Sequence, residues 1–246
     1  MKELPYLMTF IFLTTISFSQ KRTYLGIETA ITNDNYEIIE YGNQLLQTPL
    51  IGGRLGVTVR QDLNNYLSAE VGFTFKRYKE GFGFKTINGS SSSSAFGAYC
   101  FPLRLYTRIN LFKERIFVTP VLGLVYCYSP YADSDGNSSG KFKSMKDSVT
   151  YYTYTSYGPT KHFILMQTGL SLDFSFTNNS SLSIFTSYYT GFTKIFKTNI
   201  TYQVNDKPFV NGQAFSKGSF WDVIGISYKY PISKMWQKST KDQKSN

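Results

Sequence analysis

The residues best suited to nucleophilic catalysis gather near the single histidine of the chain, His162. A serine hydrolase needs a histidine to accept the serine proton and an acid to orient that histidine. The segment 129–161 before His162 contains Asp147 and several serines, so it offers these residue types. Serine is abundant along the whole chain, however, and the combination is therefore unspecific. We expect His162 to lie at a rim of the fold, and we predict no enzymatic activity.

A second group of residues, Asp133-Ser134-Asp135-Gly136-Asn137, has the oxygen ligands that calcium prefers. The EF-hand pattern places its glycine after a third ligand position, whereas Gly136 directly follows the second aspartate. The spacing is that of an ordinary Asp-Gly turn. The sequence predicts neither a metal site nor a cofactor.

The strong positive charge, a formal +10 at pH 7, raises the question of an anionic ligand. The charged residues of the four long connections described below sum to only +1. The excess lies instead at the chain ends and at alternating positions of predicted strands. No basic and aromatic pattern of a nucleic-acid-binding module occurs, so nucleic acid is not expected as a partner.

Alternation of apolar and polar residues dominates the chain from Lys21 to Tyr230. Near its start, for example, Leu25, Ile27 and Ile31 share one face and Glu28 lies on the other. Side chains alternate across a strand, so a period of two predicts one apolar face and one polar face. Aromatic residues make up 17% of the chain, which is also typical of strands. The pattern predicts eight strands, at residues 22–31, 50–60, 66–77, 96–111, 116–128, 162–176, 182–193 and 220–230.

Short and long connections alternate between these strands. Residues 62–65, 113–114 and 177–181 are short and rich in turn formers, and the long connections are 32–49, 78–95, 129–161 and 194–219. An even strand number with short turns at one end and long loops at the other is the layout of an outer-membrane barrel. We therefore predict an all-β fold, an eight-stranded antiparallel transmembrane β-barrel over residues 20–230. Its short turns would be periplasmic and its long loops extracellular.

The competing hypothesis is a soluble barrel or sandwich with its apolar faces inward. Predicted strands of ten to twelve residues exceed the usual five or six and suit a tilted bilayer crossing. The polar face also carries charges among glycines and serines, which fits the interior of a membrane barrel. Both observations favour an apolar face directed toward lipid.

The N-terminal segment has the features of an export signal. Lys2 precedes an apolar run from Leu4 to Phe18, and Ser17 and Ser19 provide small residues before a cleavage point at residue 20. The run is short for a spanning helix, which needs about 20 residues, so a membrane anchor is the weaker alternative. We predict a signal peptide at 1–19, a basic periplasmic tail at 231–246 and a location in the outer membrane of a Gram-negative bacterium.

Charged residues on the polar face allow two interpretations. Around an open channel they would favour small anions, whereas in an eight-stranded barrel side chains can also fill the interior completely. Bulky residues at inward positions, Tyr66, Tyr106, Phe163, Phe185 and Tyr189, favour a filled interior. Three acids against six bases would leave some bases with neutral partners. The predicted lumen network comprises Glu28, Arg54, Glu70, Arg104, Arg108, Asp173 and Lys229, with Arg60 and Lys76 as further inward bases.

The third long connection carries a run of tyrosines, Tyr151, Tyr152, Tyr154 and Tyr157. The run could extend the strands at 116–128 and 162–176 above the membrane. It could equally form a contact surface for a protein partner, because tyrosine is enriched at interface cores.

The two cysteines, Cys100 and Cys127, lie on consecutive predicted strands. If Lys113-Glu114 forms a two-residue hairpin, directly opposed positions sum to 227, as these two do. Opposed residues have Cα atoms about 4.5–5.5 Å apart, which a disulfide can span. The periplasm is oxidising. The sequence predicts cross-strand proximity and leaves open whether the thiols are bonded.

Two segments carry a resemblance to known proteins. Val223-Ile224-Gly225-Ile226-Ser227-Tyr228-Lys229-Tyr230 resembles the C-terminal signal of outer-membrane barrels, with Gly225, Tyr228 and Tyr230 at the positions read by the barrel-assembly machinery. Phe101-Pro102-Leu103-Arg104-Leu105 and Val121-Leu122-Gly123-Leu124-Val125-Tyr126 are similar to strands of the outer-membrane β-barrel (porin-like) family common in Bacteroidetes.

The resemblance implies an eight-stranded outer-membrane barrel but no catalytic residues, because that family is functionally mixed. We expect a non-enzymatic barrel that is structural or binds a protein partner through its extracellular loops. Its other partners would be outer-membrane lipid and, during biogenesis, the assembly machinery. A narrow porin for small solutes is the alternative, and a rim enzyme acting on lipid is the third hypothesis.

Overall fold

Strands make up the regular structure throughout the described part of the chain. The computed structural model describes residues 22–47, 50–85, 91–113, 115–130, 136–143, 149–205 and 207–232. The predicted signal peptide and nearly all of the predicted tail lie outside these residues. The strands are β1 (Thr23–Asp34), β2 (Glu37–Glu40), β3 (Leu45–Gln47), β4 (Leu50–Asp62), β5 (Leu67–Phe84), β6 (Ser91–Thr107), β7 (Ile109–Phe112), β8 (Ile116–Tyr128), β9 (Gly136–Lys143), β10 (Val149–Tyr157), β11 (His162–Ser175), β12 (Ser181–Gly191), β13 (Phe196–Val204), β14 (Val210–Ser216) and β15 (Phe220–Pro231).

Eight of these strands close into an antiparallel barrel in the order β1-β4-β5-β6-β8-β11-β12-β15, and β15 pairs back onto β1. The predicted fold, strand number and approximate strand positions are confirmed. Strands β5 and β6 continue further into the second predicted loop than expected, because Phe82 pairs with Ser92 and Gly83 with Ser91. The serine-rich stretch after residue 90 therefore belongs to a strand.

The turns at one end of the barrel show why the chain reverses there. The Asn64 side chain accepts hydrogen bonds from the backbone N–H groups of Tyr66 and Leu67, at 2.8 and 2.7 Å. Asn179 adopts a φ of 63°, a conformation that asparagine tolerates better than most residues. We call this the turn end, and we call the opposite side, with the long connections, the loop end.

The two faces of the barrel strands differ as the alternation predicts. Ile27, Leu55 and Leu170 are examples of outward side chains that stay largely exposed on the protein surface. Inward positions hold charged, small and hydroxyl side chains, and most of them are buried. An apolar exterior around a polar interior is the reverse of a water-soluble barrel.

One irregularity changes the faces of β15. Val223 and Ile224 are both exposed, and the pairing with β1 steps from Ile31–Ile224 to Thr32–Asp222. A β-bulge inserts an extra residue and re-aims the neighbouring side chains. Here it turns Asp222, which strict alternation would place outside, into the barrel.

The long connections form a second antiparallel sheet, in the order β2-β14-β13-β10-β9. We call it the loop-end sheet. Its inner face packs on the extension of β5 through a cluster that includes Phe82, Phe84, Ile200 and Tyr202. In the described part of the chain, no helix is long and apolar enough to cross a membrane.

Candidate functional site

The middle of the barrel interior contains a network centred on Arg104 of β6. Its Nη1 lies 2.7 Å from Glu28 Oε2 and 2.8 Å from Glu70 Oε1, and its Nε donates to Gln167 Oε1 at 2.9 Å. Lys229 Nζ lies 2.9 Å from the second Glu70 oxygen. Each charged group therefore has a partner, as burial in a low-dielectric interior requires.

Arg54 extends this network to the junction of the first and last strands. Its guanidinium binds Glu28 of β1 through Nη1 and Asp222 of β15 through Nη2, the latter at 2.7 Å. The Tyr189 hydroxyl donates to the same Asp222 oxygen at 3.2 Å. Side chains thus tie together strands at both ends of the sequence.

A separate group of charges occupies the turn end. Arg60 lies 3.6 Å from Asp173 and 3.7 Å from Asp62, and it stacks over the Tyr106 ring. Arg108 belongs here and not to the central network: it lies 3.9 Å from Asp62 and 4.2 Å from the centre of the Phe117 ring.

Lys76 occupies the loop end of the polar interior. Its Nζ lies 2.6 Å from Asp34 Oδ1 and donates to Thr32 Oγ1 at 2.9 Å. The same ammonium lies over the rings of Tyr78 and Phe220, a geometry in which a cation and a ring attract each other.

Aromatic residues close the interior above Lys76. Tyr189 and Phe220 stack with ring centres 4.1 Å apart, and Tyr78 meets Phe163 and Phe220 edge to face. Phe196, at the start of β13, adds a ring from the loop-end sheet. We call these five rings the aromatic plug.

The predicted excess of basic over acidic side chains in the barrel interior is wrong. Among the described residues, five acids and five bases are buried inside the barrel: Glu28, Asp34, Glu70, Asp173 and Asp222 with Arg54, Arg60, Lys76, Arg104 and Lys229. The sequence places Asp34 in the first long connection, but β1 is longer than predicted and carries Asp34 into the barrel. Asp222 faces inward only because of the bulge. The acids therefore match the bases, and a net positive lumen is excluded for these residues.

Little free space remains around the network. A cavity of about 20 Å³ lies between Glu28, Arg104, Gln167 and Lys229, and such a volume accommodates about one water molecule. Tyr106, Phe163, Phe185 and Tyr189 do contribute inward bulk. Tyr66 does not: it is 71% exposed at the turn end, since β5 begins one residue later at Leu67.

The three residues of the predicted assembly signal lie on opposite faces of β15. Tyr228 and Tyr230 are exposed outside, and Gly225 is buried inside. A Cβ atom at Gly225 would overlap the ring of Phe185 on β12. A side chain at this position would therefore force the Phe185 ring to move.

Cys100 and Cys127 are directly opposed on β6 and β8, in the register that sums to 227. Their Cα atoms lie 4.1 Å apart and a disulfide joins their sulfur atoms. Both residues are buried next to the aromatic plug, so the bond lies inside the barrel wall and not on the surface.

The four tyrosines of the third connection lie on β10, the second strand from one edge of the loop-end sheet. They do not extend β8 and β11, because β10 pairs with β9 and β13. Tyr152 and Tyr154 face inward and contact Phe84 and Phe82, at 5.7 and 5.5 Å between ring centres. Tyr151 and Tyr157 are about 40% exposed on the outer face.

A hydrogen bond between β13 and the first connection helps to hold the loop-end sheet in place. The Tyr202 hydroxyl donates to Glu40 Oε2 at 2.6 Å. Burial, followed by this bond to the carboxylate, raises the pKa of Tyr202 above its usual value of 10.0.

His162 lies at the rim, as expected from the sequence. Its Nδ1 forms a hydrogen bond of 2.6 Å with the Tyr126 hydroxyl, and its ring lies against Tyr128. Asp147, Asp133 and Asp135 lie outside the described residues. Within the described ranges, no group of three histidine, cysteine or acidic side chains is arranged to hold a metal.

Sequence comparison finds no matching family model and no matching curated protein. Among solved structures, the chain is similar to the outer membrane protein OprG from Pseudomonas aeruginosa, with 12% identity, a TM-score of 0.47, and coverage of 86% of this chain and 97% of that one. It is similar to a major outer membrane protein from Thermus thermophilus, with 10% identity, a TM-score of 0.41, and coverage of 86% and 100%. It is also similar to the outer membrane protease OmpT from Escherichia coli, with 8% identity, a TM-score of 0.38, and coverage of 85% and 97%. No residue role or activity is carried over from these proteins.

Proposed function

We propose that this protein is a non-enzymatic, integral outer-membrane barrel whose lumen conducts no solutes and whose loop-end sheet binds a protein partner outside the cell. The outward apolar face supports the membrane location, since exposed side chains such as Ile27, Leu55, Leu122 and Ile226 lie on strands around the barrel. In water so large an apolar surface would drive association. A closed barrel also pairs its backbone groups internally, as a bilayer requires.

Export and assembly complete this proposal. Residues 1–19 direct the chain to the periplasm, and the assembly machinery recognises the last strand through Gly225, Tyr228 and Tyr230. The turn end and the tail at 231–246 then lie in the periplasm. The loop-end sheet lies outside the cell of a Gram-negative bacterium.

The main support for a closed lumen is that side chains fill it both in the middle and at the loop end. Ion pairs with matched charges occupy the middle of the interior, and the aromatic plug covers the loop end. A solute would have to break buried ion pairs, which costs several kcal/mol each. The narrow porin is therefore the second candidate.

The outer face of the loop-end sheet supports a role in binding. It presents Tyr151 and Tyr157 beside amide and hydroxyl groups, with Gln213 Nε2 donating to Asn199 Oδ1 at 3.1 Å and Thr201 Oγ1 donating to Asn211 Oδ1 at 2.9 Å. Rigid tyrosines and adaptable polar side chains together are typical of protein-binding surfaces.

Conductance in planar bilayers tests the closed lumen. Purified wild-type protein should give no stable single-channel steps, and a double variant of the plug, Tyr189→Ala with Phe220→Ala, provides a control for an opened loop end. Stable wild-type steps that disappear in Gly169→Trp, which fills the interior, would establish the porin instead. Mass spectrometry of lipid A from cells with and without the protein tests the rim enzyme, and we expect identical spectra.

A further inference from the structure

Two basic side chains on the outside of the barrel are not explained by the lumen network. Arg77 and Lys79 occupy outward positions of β5, directly above the outward aromatic residues Phe73 and Phe75. Arg77 is exposed and Lys79 is half-buried. Cations next to an apolar belt lie at the height where the headgroups of a bilayer begin.

Among the described residues, no acid forms a salt bridge with Arg77 or Lys79. Lys79 does interact electrostatically with Asp34, but that carboxylate is already paired with Lys76. Their backbones are held from the inside, since the Arg77 carbonyl accepts a hydrogen bond from Lys76 Nζ at 3.0 Å and the Lys79 N–H donates to Asp34 Oδ2 at 2.7 Å. The strand is thereby fixed while both cationic groups remain available to an anion.

A notch in the outer wall adjoins Arg77. The residue paired with it on β4 is Gly53, which is exposed, and a Cβ atom there would meet only the Ala30 carbonyl, at 3.9 Å. Ile51 and Leu55, before and after Gly53 in the same outward row, are 65% and 64% exposed. Ile31 of β1 lies on the other side of Gly53. The notch is thus apolar, open and as narrow as one missing side chain.

We propose that Arg77, Lys79 and the notch over Gly53 form a binding site for a phosphorylated lipid of the leaflet at the loop end. The phosphate would bind between the two cations, because a guanidinium pairs with phosphate through two parallel hydrogen bonds. One acyl chain would pass through the notch, which lies level with Arg77, and continue toward the middle of the barrel wall along Leu55. Along β5 the two cations lie nearer the loop end than the outward rings of Phe73 and Phe75, as a headgroup lies above its acyl chains, and a soluble phosphate would use only the cationic half of the site. This inference rests on the proposed membrane location.

Native mass spectrometry of the full mature barrel in detergent micelles tests the site. The probes are diphosphoryl lipid A and monophosphoryl lipid A, with a neutral diacylglycerol for comparison. We expect wild-type protein to retain the phosphorylated lipids, and Arg77→Gln with Lys79→Gln to weaken that retention about tenfold, as loss of charge-assisted bonds implies. Gly53→Leu fills the notch without touching either cation and should weaken retention as well. Lys161→Gln removes an exposed cation at the same end, next to β11, and should change nothing.

The outcomes separate the site from the membrane proposal. Folding of each variant is checked by the slower migration of unheated barrel in gel electrophoresis. Equal retention of neutral and phosphorylated lipid, or an equal loss in Lys161→Gln, would overturn the lipid site while leaving the membrane barrel intact. Competition by millimolar inorganic phosphate alone would also contradict it, because the acyl chain would then contribute nothing. A wild-type chain that does not fractionate with outer membranes would overturn the proposed function itself.

Discussion

Arg54 and Asp222 lie 168 residues apart in sequence, yet Arg54 Nη2 and Asp222 Oδ2 are separated by only 2.7 Å. The same guanidinium binds Glu28, so one side chain from β4 joins β1 to β15. These two strands meet where the barrel closes. The contact therefore reinforces the pairing between the first and last strands, which closes the barrel.

We expect Asp222→Asn to destabilise the barrel by about 3–5 kcal/mol, because it leaves part of the Arg54 charge buried without its partner. Asp62→Asn is the matched control, since its ion pairs with Arg60 and Arg108 are longer and its side chain is partly exposed. That change should cost about 1 kcal/mol or less. Urea unfolding in lipid vesicles, followed by tryptophan fluorescence, measures both. Equal effects of the two substitutions would contradict the central role of the Arg54–Asp222 pair.

The position of Asp222 shows where prediction from the sequence reaches its limit. Alternation correctly predicted eight strands and the inward direction of Glu28 and Arg104, because burial on one face imposes a period of two. A bulge breaks that period, and only the adjacent apolar residues Val223 and Ile224 indicate it. If the bulge is overlooked, Asp222 is assigned to the outer face, and the interior is predicted to be more positive than it is.

The loop-end sheet was not predictable for a different reason. One of its pairings joins β10 to β13, as in Tyr152 with Tyr202, although β11 and β12 lie between these strands in the sequence. Local patterns carry no information about such distant partners. The run of tyrosines on β10 is visible in the sequence, but its division into an inner and an outer pair depends on what packs beneath it.

The lipid-facing register can be tested on neighbouring residues of β11. Leu170 is exposed on the outer face, whereas Ser171 is buried and donates to Asp173 Oδ1 at 2.8 Å. Leu170→Arg near the bilayer midplane should cost about 2–4 kcal/mol, and Ser171→Arg should disturb the interior instead. Spin labels at the two positions, exposed to a lipid-soluble relaxation agent, distinguish the faces. Greater lipid accessibility at 171 would show that the register is inverted.

The bond between Tyr202 and Glu40 predicts a pH dependence of the loop-end sheet. Because the pKa of Tyr202 is raised in the folded state, the bond contributes fully below the ordinary tyrosine pKa of 10.0 and is lost as the pH rises through the higher folded value. Tyr202→Phe should remove about 1 kcal/mol of local stability and this alkaline transition. Hydrogen exchange of β13 amides as a function of pH measures both. Tyr151→Phe, on the outer face, is the control and should leave the transition unchanged.

The cysteine pair predicts a protein without free thiols. Labelling of denatured, unreduced protein should detect no reactive cysteine, and reduction should expose both. Cys100→Ala should destabilise the barrel by about 2–4 kcal/mol, the range typical of a disulfide. The double variant Cys100→Ala with Cys127→Ala separates the bond from the packing of a lone thiol. Two labelled thiols in the unreduced chain would rule out the disulfide.

Gly225 allows packing to be distinguished from recognition by the assembly machinery. Gly225→Ala places a methyl group in the ring of Phe185, so we expect lower stability and less folded barrel in the membrane. If packing is the cause, adding Phe185→Ala should restore much of both, because it removes the overlapping ring. Heat-modifiable mobility after refolding in vitro, where no assembly machinery is present, and the yield of barrel in cells report the two effects separately. Rescue in vitro but not in cells would mean that the machinery reads Gly225 directly, in addition to the space that Phe185 occupies.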